Sequence, residues 1–290
     1  MTSKPHIPFR KMNGLGNDFV VIDHRSSHVE LSGPLIKYIA DREQGVGCDQ
    51  VIVLEHPKGE AKDGPNSADV FMRIYNSDGG QVDACGNATR CVAALMVAET
   101  ERTENTIQTN AGMLGAVMNA DMSVTIDMGV PRFHWQDIPL SEEFYDTRMI
   151  ELQVGPIDDP VLHSPSAVNV GNPHCIFWVD DIEAYDLASI GPVLEYHPLF
   201  PERANISLAH VTSDNALTLK VWERGVGLTQ ACGTAACAGA VAAKRKRLTG
   251  RDVTVTLPGG DLHISWREHD EHILMTGPVE LEYEGEIDVS

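Results

Sequence analysis

Cys85 and Cys232 stand in the same local frame. Each is preceded by alanine and followed by glycine, and each lies just ahead of a run that reads as a helix, residues 88–99 and 235–247. A thiol has an ordinary pKa of about 8.5, and a helix N-terminus can lower it into the ~3.5–7.5 range. Glycine lets the backbone approach a ligand closely, and the first N–H groups of a helix have no partner inside it. Such amides suit a carboxylate or a developing oxyanion. One such site would read as a nucleophilic thiol, whereas two read as a pair of sulfurs serving one substrate. A thiolate on one face of a carbon removes a proton while a thiol on the other face delivers one, which inverts the centre. Without pyridoxal phosphate or a metal, the carbanion needs dry, preorganised donors around its carboxylate.

The elements that carry these cysteines are duplicated. Residues 73–88 align without a gap on residues 220–235 at an offset of 147. Gly80/Gly227, Ala84/Ala231, Cys85/Cys232, Gly86/Gly233 and Ala88/Ala235 are identical, and a basic–aliphatic–aromatic triplet opens both segments. Gly16-Asn17-Asp18-Phe19-Val20-Val21 and Gly171-Asn172-Pro173-His174-Cys175-Ile176 repeat at an offset of 155, in the same order along the chain. A loop insertion accounts for the difference between the offsets, so two halves of like fold are expected.

Short β-branched or aromatic runs bounded by turn residues predict strands at 19–22, 51–54, 70–75, 124–126, 175–179, 217–222 and 253–257. The two helices are apolar nearly all round, which predicts burial, and their N-caps are expected at Asn87 and Thr234. The second ends in four cations, favourable at the negative end of its dipole. Strands outnumber helices, so the expected class is α+β: two pseudo-symmetric halves, each a curled, mixed or antiparallel, barrel-like sheet around a central buried helix. The expected hinge is Met128-Gly129-Val130-Pro131.

The other cysteines, Cys48, Cys91, Cys175 and Cys237, read as small buried hydrophobes. Cys85 and Cys91, six apart, and Cys232 and Cys237, five apart, do not share a helix face, and no CxxC motif exists, so no metal site is expected. The chain has 290 residues and a formal net charge of −20, a surface that repels phosphate backbones and anionic membranes. No apolar run approaches the ~18–20 residues of a membrane span, and the first residues lack the apolar core of a signal peptide. The expected setting is the cytoplasm, with reduced thiols and with neither nucleic-acid nor membrane partners.

Four blocks resemble the diaminopimelate epimerase family: residues 11–19, Ala84-Cys85-Gly86-Asn87, Gly171-Asn172-Pro173-His174-Cys175, and Glu223-Arg224-Gly225 through Ala231-Cys232-Gly233-Thr234. The resemblance implies two pseudo-symmetric α/β halves, residues 1–131 with a returning strand in 279–290, and residues 132–278, with the active site in the cleft between them. It implies conversion of LL-diaminopimelate to the meso form in lysine and cell-wall synthesis, without a cofactor, by a homodimer. Cys85 and Cys232 match the two bases, Cys85 expected to deprotonate the LL isomer and Cys232 the meso isomer. Asn17, Gln50, Asn76, Asn172, Asn205 and Arg224 match substrate contacts, and His174 and Glu223 match groups beside the reacting centre. Gly86-Asn87 and Gly233-Thr234 would hold the proximal carboxylate, while Arg224 could clasp the distal one in a bidentate pair. For His174 a structural, hydrogen-bonded role stands beside the catalytic one.

Some positions depart from the family pattern: Asn13, where histidine is frequent, Leu228, where an acidic residue is common, and the helix starts Asn87-Ala88-Thr89 and Thr234-Ala235-Ala236, where glycine is frequent. The rival readings are a proline or hydroxyproline racemase, a cysteine hydrolase built on Cys85 and His174, and a non-catalytic amino-acid-binding protein. The first predicts histidine after the first Cys-Gly, where Asn87 stands. The second leaves Cys232 without a role, and the third makes both cysteines dispensable.

Overall fold

The computed structural model describes residues 6–26, 29–59 and 67–288. Residues 1–5 of the N-terminal reading, and positions 289 and 290 of the expected last strand, lie outside the described residues. The chain divides into two compact units, one running to Ile126 and resuming at Gly277, the other from Asp127 to Thr276. The expected hinge at Met128-Gly129-Val130-Pro131 falls inside the second unit. Met128 N donates to Ile273 O and Ile273 N to Gly129 O, at 2.8 and 2.9 Å, which ties this stretch to that unit.

The first unit runs β1 (His6–Gly14), β2 (Asn17–Asp23), α1 (Gly33–Ala40), β3 (Gln50–Glu55), β4 (Val70–Asn76), β5 (Gln81–Val82), α2 (Gly86–Thr100), β6 (Glu104–Thr109), β7 (Gly112–Met118) and β8 (Val124–Asp127). Strand β2 pairs antiparallel with β1 and parallel with β3; β4 pairs antiparallel with β3 and β5 and parallel with β6; β6, β7 and β8 form a meander.

In the second unit a small hairpin, β9 (Gln153–Val154) with β10 (Leu162–His163), precedes the same series. It runs β11 (Ser166–Asn169), β12 (Pro173–Trp178), α3 (Leu187–Glu195), β13 (Asn205–Ser213), β14 (Ala216–Glu223), β15 (Gly227–Thr229), α4 (Gly233–Arg245), β16 (Asp252–Leu257), β17 (Gly260–Trp266) and β18 (Ile273–Gly277). Each of the pairings just given for the first unit recurs in the same sense. The last strand, β19 (Glu280–Asp288), returns to the first unit and pairs antiparallel with β1.

Strand alternation sets the inward faces. Asn105, Ile107 and Thr109 of β6, and Val253, Val255 and Leu257 of β16, point inward on every second residue. Helix α4 is buried along nearly its whole length and packs on β11, β12, β13, β14, β16 and β17, so the sheet curls around it. Its alanines allow that approach. A methyl group on Gly239 would already stand 3.1 Å from the Leu219 side chain. Helix α2, packed on β1, β6 and β7, is the first unit's counterpart.

Candidate active site

Both cysteines are themselves the helix N-caps. Cys85 has φ −149° and ψ 111°, and Cys232 has φ −131° and ψ 108°, the extended backbone of a cap. This corrects the expected caps, because Asn87 and Thr234 are the second helical residues. Neither sulfur makes a side-chain cap hydrogen bond. Their carbonyls close the first turns instead, accepting from Thr89 N at 2.9 Å and from Ala236 N at 3.0 Å. Thr89 Oγ1 adds a second bond to the Cys85 carbonyl, at 2.8 Å. Gly86-Asn87 and Gly233-Thr234 therefore open the helices, where backbone N–H groups face outward along the axis.

In the first unit an amide faces Cys85. Asn17 Oδ1 lies 4.0 Å from Cys85 Sγ and 3.4 Å from Asn87 Nδ2. Gln50 Nε2 donates to Asn76 Oδ1 at 3.0 Å, and the buried Gln50 Oε1 has no hydrogen-bond partner among the described residues. An acceptor left in that state favours a ligand that brings a donor. Beneath Asn17 lies an ionic network that local spacing in the sequence did not reveal. Lys11 Nζ is buried against Asp18 Oδ2, at 2.5 Å, and the Gly47 carbonyl. Arg42 bridges Asp18 and Asp49. Burial alone would raise the Asp18 carboxyl, but hydrogen bonds from Arg42 and Lys11 outweigh it and hold the group well below the usual carboxylate range.

In the second unit Cys232 lies beside a hydroxyl and a carboxylate. The sulfur is buried, 3.5 Å from Thr234 Oγ1. Burial pushes this thiol well above its ordinary value, and the negative charge of Glu223 pushes it further. The Thr234 hydroxyl and the Ala235 N–H act in the opposite direction and lose. The low pKa expected of a helix-start thiol is thus not found at Cys232, where lost hydration exceeds what the helix end supplies. Glu223 Oε1 accepts from Thr229 Oγ1 at 2.6 Å, across the hairpin turn.

His174 is completely buried. Burial, then the Arg224 charge, pushes its imidazole down to about 3, so it is neutral at pH 7. Its Nε2 lies 2.8 Å from Asn172 Oδ1 and 3.4 Å from Asn205 Nδ2, and its buried Nδ1 has no hydrogen-bond partner among the described residues. Asn205 Oδ1 accepts from Arg224 N at 2.8 Å, and Arg224 Nη1 donates to Glu202 O at 2.9 Å.

These residues fall into register pairs. Gln50 lies opposite Asn76 on β3 and β4, and beside Phe19 of β2. Asn205 lies beside His174 of β12, and its neighbour Ile206 faces Trp222, which puts Asn205 level with Glu223. Asn17 and Asn172, Gln50 and Asn205, Asn76 and Glu223, and Cys85 and Cys232 therefore occupy equivalent positions of one repeated frame. Gly16 (φ +83°) and Gly171 (φ +106°) turn the chain into each leading asparagine through the left-handed region that suits glycine.

A family model described as diaminopimelate epimerase matches residues 9–134 and 166–282. A curated diaminopimelate epimerase from Afipia carboxidovorans is 54% identical over 99% of this chain and 97% of its own length. The chain belongs to the diaminopimelate epimerase family. A second relative of that name, from Brucella anthropi, is 53% identical over 97% of this chain and 91% of its own.

Solved structures of lower identity share the fold. A hydroxyproline epimerase from Agrobacterium vitis, with trans-4-hydroxy-L-proline bound, superposes with a TM-score of 0.70 at 14% identity, covering 100% of this chain and 94% of that one. A phenazine biosynthesis PhzC/PhzF protein from Clostridium difficile gives 0.66 at 12%, covering 98% and 100%.

Two departures from the diaminopimelate epimerase pattern have local explanations. Asn13 Oδ1 accepts from Gly16 N at 2.7 Å and its Nδ2 donates to Glu282 at 3.0 Å, so it supports the Leu15-Gly16 turn. Leu228 has its side chain exposed on β15. Among the described residues no group of three or more His, Cys, Asp or Glu side chains is placed to hold a metal, and no helix is long and apolar enough to cross a membrane. Glu195 is a further residue passed over in the sequence. It is buried at the end of α3, where Oε1 accepts from Gly225 N at 2.9 Å and Oε2 from Trp222 Nε1 at 2.8 Å.

Proposed function

We propose that this chain interconverts LL- and meso-diaminopimelate, supplying lysine and peptidoglycan synthesis, by a two-base mechanism that uses neither an organic cofactor nor a metal. The observation that carries the reading is the repeat of one Cys-Gly helix start in two copies of one fold, within a chain of this family. Cys85 as thiolate takes the α-proton and becomes a thiol. Cys232 as thiol gives its proton to the opposite face of the carbon and becomes a thiolate. The backbone N–H groups at Gly86-Asn87 and Gly233-Thr234 hold the proximal carboxylate and stabilise charge developing on it. Burial and Glu223 keep the proton on Cys232, which supports its role as the acid when the LL isomer reacts.

The remaining side chains suit a substrate with two amino-acid ends. Arg224 supplies the cation for the distal carboxylate. Gln50 and the asparagines at 17, 76, 172 and 205 serve ammonium and carboxylate groups. His174 is assigned to orienting Asn172, since its Nε2 side is engaged there. The working form in this reading is a cytoplasmic homodimer.

Incubation of LL-diaminopimelate with the chain alone in deuterated water is the test. Meso product carrying an α-deuterium is expected, and the absence of both would sink the reading. Cys85→Ala and Cys232→Ala should each lower kcat by on the order of 10³-fold or more. A cysteine hydrolase or a binding protein would tolerate the Cys232 change.

A further inference from the structure

Asn17 is held by hydrogen bonds of opposite sense at its two ends. Nδ2 donates to Asp49 Oδ2 at 2.7 Å, while Oδ1 accepts from Asn87 Nδ2 at 3.4 Å and lies 4.0 Å from Cys85 Sγ. Asn87 is oriented in the same direction, because its Oδ1 accepts from Nη1 of the fully buried Arg90, at 3.0 Å. Two amides thus run in series from a buried guanidinium to a carboxylate.

The oxygen and nitrogen of an amide are alike in size, so neighbours decide which way it points. Asp49 makes that decision at the Asn17 end. Its carboxylate is anchored by Arg42 Nη2 at 2.8 Å and by the Asp18 N–H at 3.1 Å. An ionised carboxylate only accepts, so Asn17 must turn its NH₂ toward Asp49 and its carbonyl toward the sulfur.

We propose that Asp49 is a positioning residue that fixes Asn17 as an acceptor facing Cys85. This deepens the proposed function and rests on Cys85 being one of its bases. An oxygen held there receives an ammonium or an S–H donor and repels a carboxylate, so the position selects the amino group of a substrate. With the site empty it favours the thiol of Cys85 over the thiolate. The charged groups along this chain are Arg90 at one end and Asp49, Arg42, Asp18 and Lys11 at the other, and the buried Cys91 thiol also feels the charge of Cys85.

The test measures the pH dependence of Cys85 alkylation by iodoacetamide, followed by peptide mass mapping, in four full-length proteins: native, Asp49→Asn, Asn17→Ala and the double variant. In Asp49→Asn the carboxylate becomes a carboxamide that can turn either end toward Asn17, so the Asn17 carbonyl is no longer fixed toward the sulfur from that side. The midpoint of alkylation should fall by about one pH unit in the single variant. In the Asn17→Ala background the same substitution should produce no further shift.

An equal shift in both backgrounds would mean that the lost charge acts directly on the thiol, and would overturn the proposal. No shift in either background would overturn it as well. Should Asp49→Asn fail to fold by circular dichroism, Asp49→Ser takes its place in the cycle, and the same two outcomes would overturn the proposal. Alkylation needs no substrate, so the outcome is separate from whether diaminopimelate is turned over.

Discussion

Glu195→Ala should loosen the turn that carries Glu223 and Arg224. Glu195 is only 2% exposed, yet its carboxylate accepts from Trp222 Nε1 (2.8 Å), Gly225 N (2.9 Å) and Arg203 Nη1 (3.3 Å). A hydrogen bond to a charged group contributes about 1.5–3 kcal/mol, and a buried donor left behind costs a similar amount. Gly225 lies at the surface and Arg203 is partly exposed, so both can turn to water and only the Trp222 bond counts in full. The expected loss is about 3 kcal/mol. For a unit of this size that corresponds to a fall of about 6–12 °C in its melting temperature. Scanning calorimetry reads it. Assays well below the transition should show a lower kcat/KM, since the hairpin backbone places Glu223 and Arg224. Melting within about 1 °C of native, or an unchanged kcat/KM, would refute the argument that this carboxylate holds the turn.

Three further expectations follow from single residues. His174 stays neutral in the folded chain down to about pH 3, whereas the unfolded chain takes up a proton near 6.5, so its contribution to stability is intact above that value and is lost as pH falls toward 3. Urea titrations at pH 7.5 and 5 should show about 2 kcal/mol less pH-dependent loss in His174→Gln than in the native chain, and equal losses would contradict the assignment. Glu223→Gln removes the charge that helps hold the Cys232 proton, so the alkylation profile of Cys232 should move to lower pH while epimerisation slows; a profile that stays in place would clear Glu223 of that role. Gly171→Ala meets no atom within 4 Å of its new methyl, so its cost is backbone strain alone, about 1–2 kcal/mol, which thermal melting measures.

The duplication was legible because both copies of the frame keep the same small residues around the cysteine, and those residues are fixed by how closely backbone and helix start approach. The central helices were legible from their length and apolar composition. Their true first residues were not, because a cysteine in extended backbone can cap without a side-chain hydrogen bond and so leaves no capping signature. Helix α3 escaped notice because it contains Gly191 and Pro192, which read as a loop. Gly191 is there for contact, since a methyl on it would stand 2.5 Å from the Trp222 ring. Asp49 and Glu195 were invisible for another reason. Their counterparts at the offset of 155 are Ala204 and Ala40, so the repeat carries no trace of them. Both act across about thirty residues of chain, through hydrogen bonds that no local spacing encodes.

The return of β19 to β1 has a consequence for how the protein is made. The first unit is assembled from two stretches of chain, and the whole second unit is synthesised between them. The second unit is one continuous stretch and can fold as it emerges from the ribosome. The first must wait with the edge of β1 uncovered. Even the Arg90 guanidinium, which anchors the amide series at Cys85, has an acceptor in the late-arriving carbonyl of Pro278, at 3.4 Å. The surroundings of Cys85 are thus among the last parts of the molecule to be completed, and a nascent chain truncated before residue 277 would carry the cysteine in an unfinished setting.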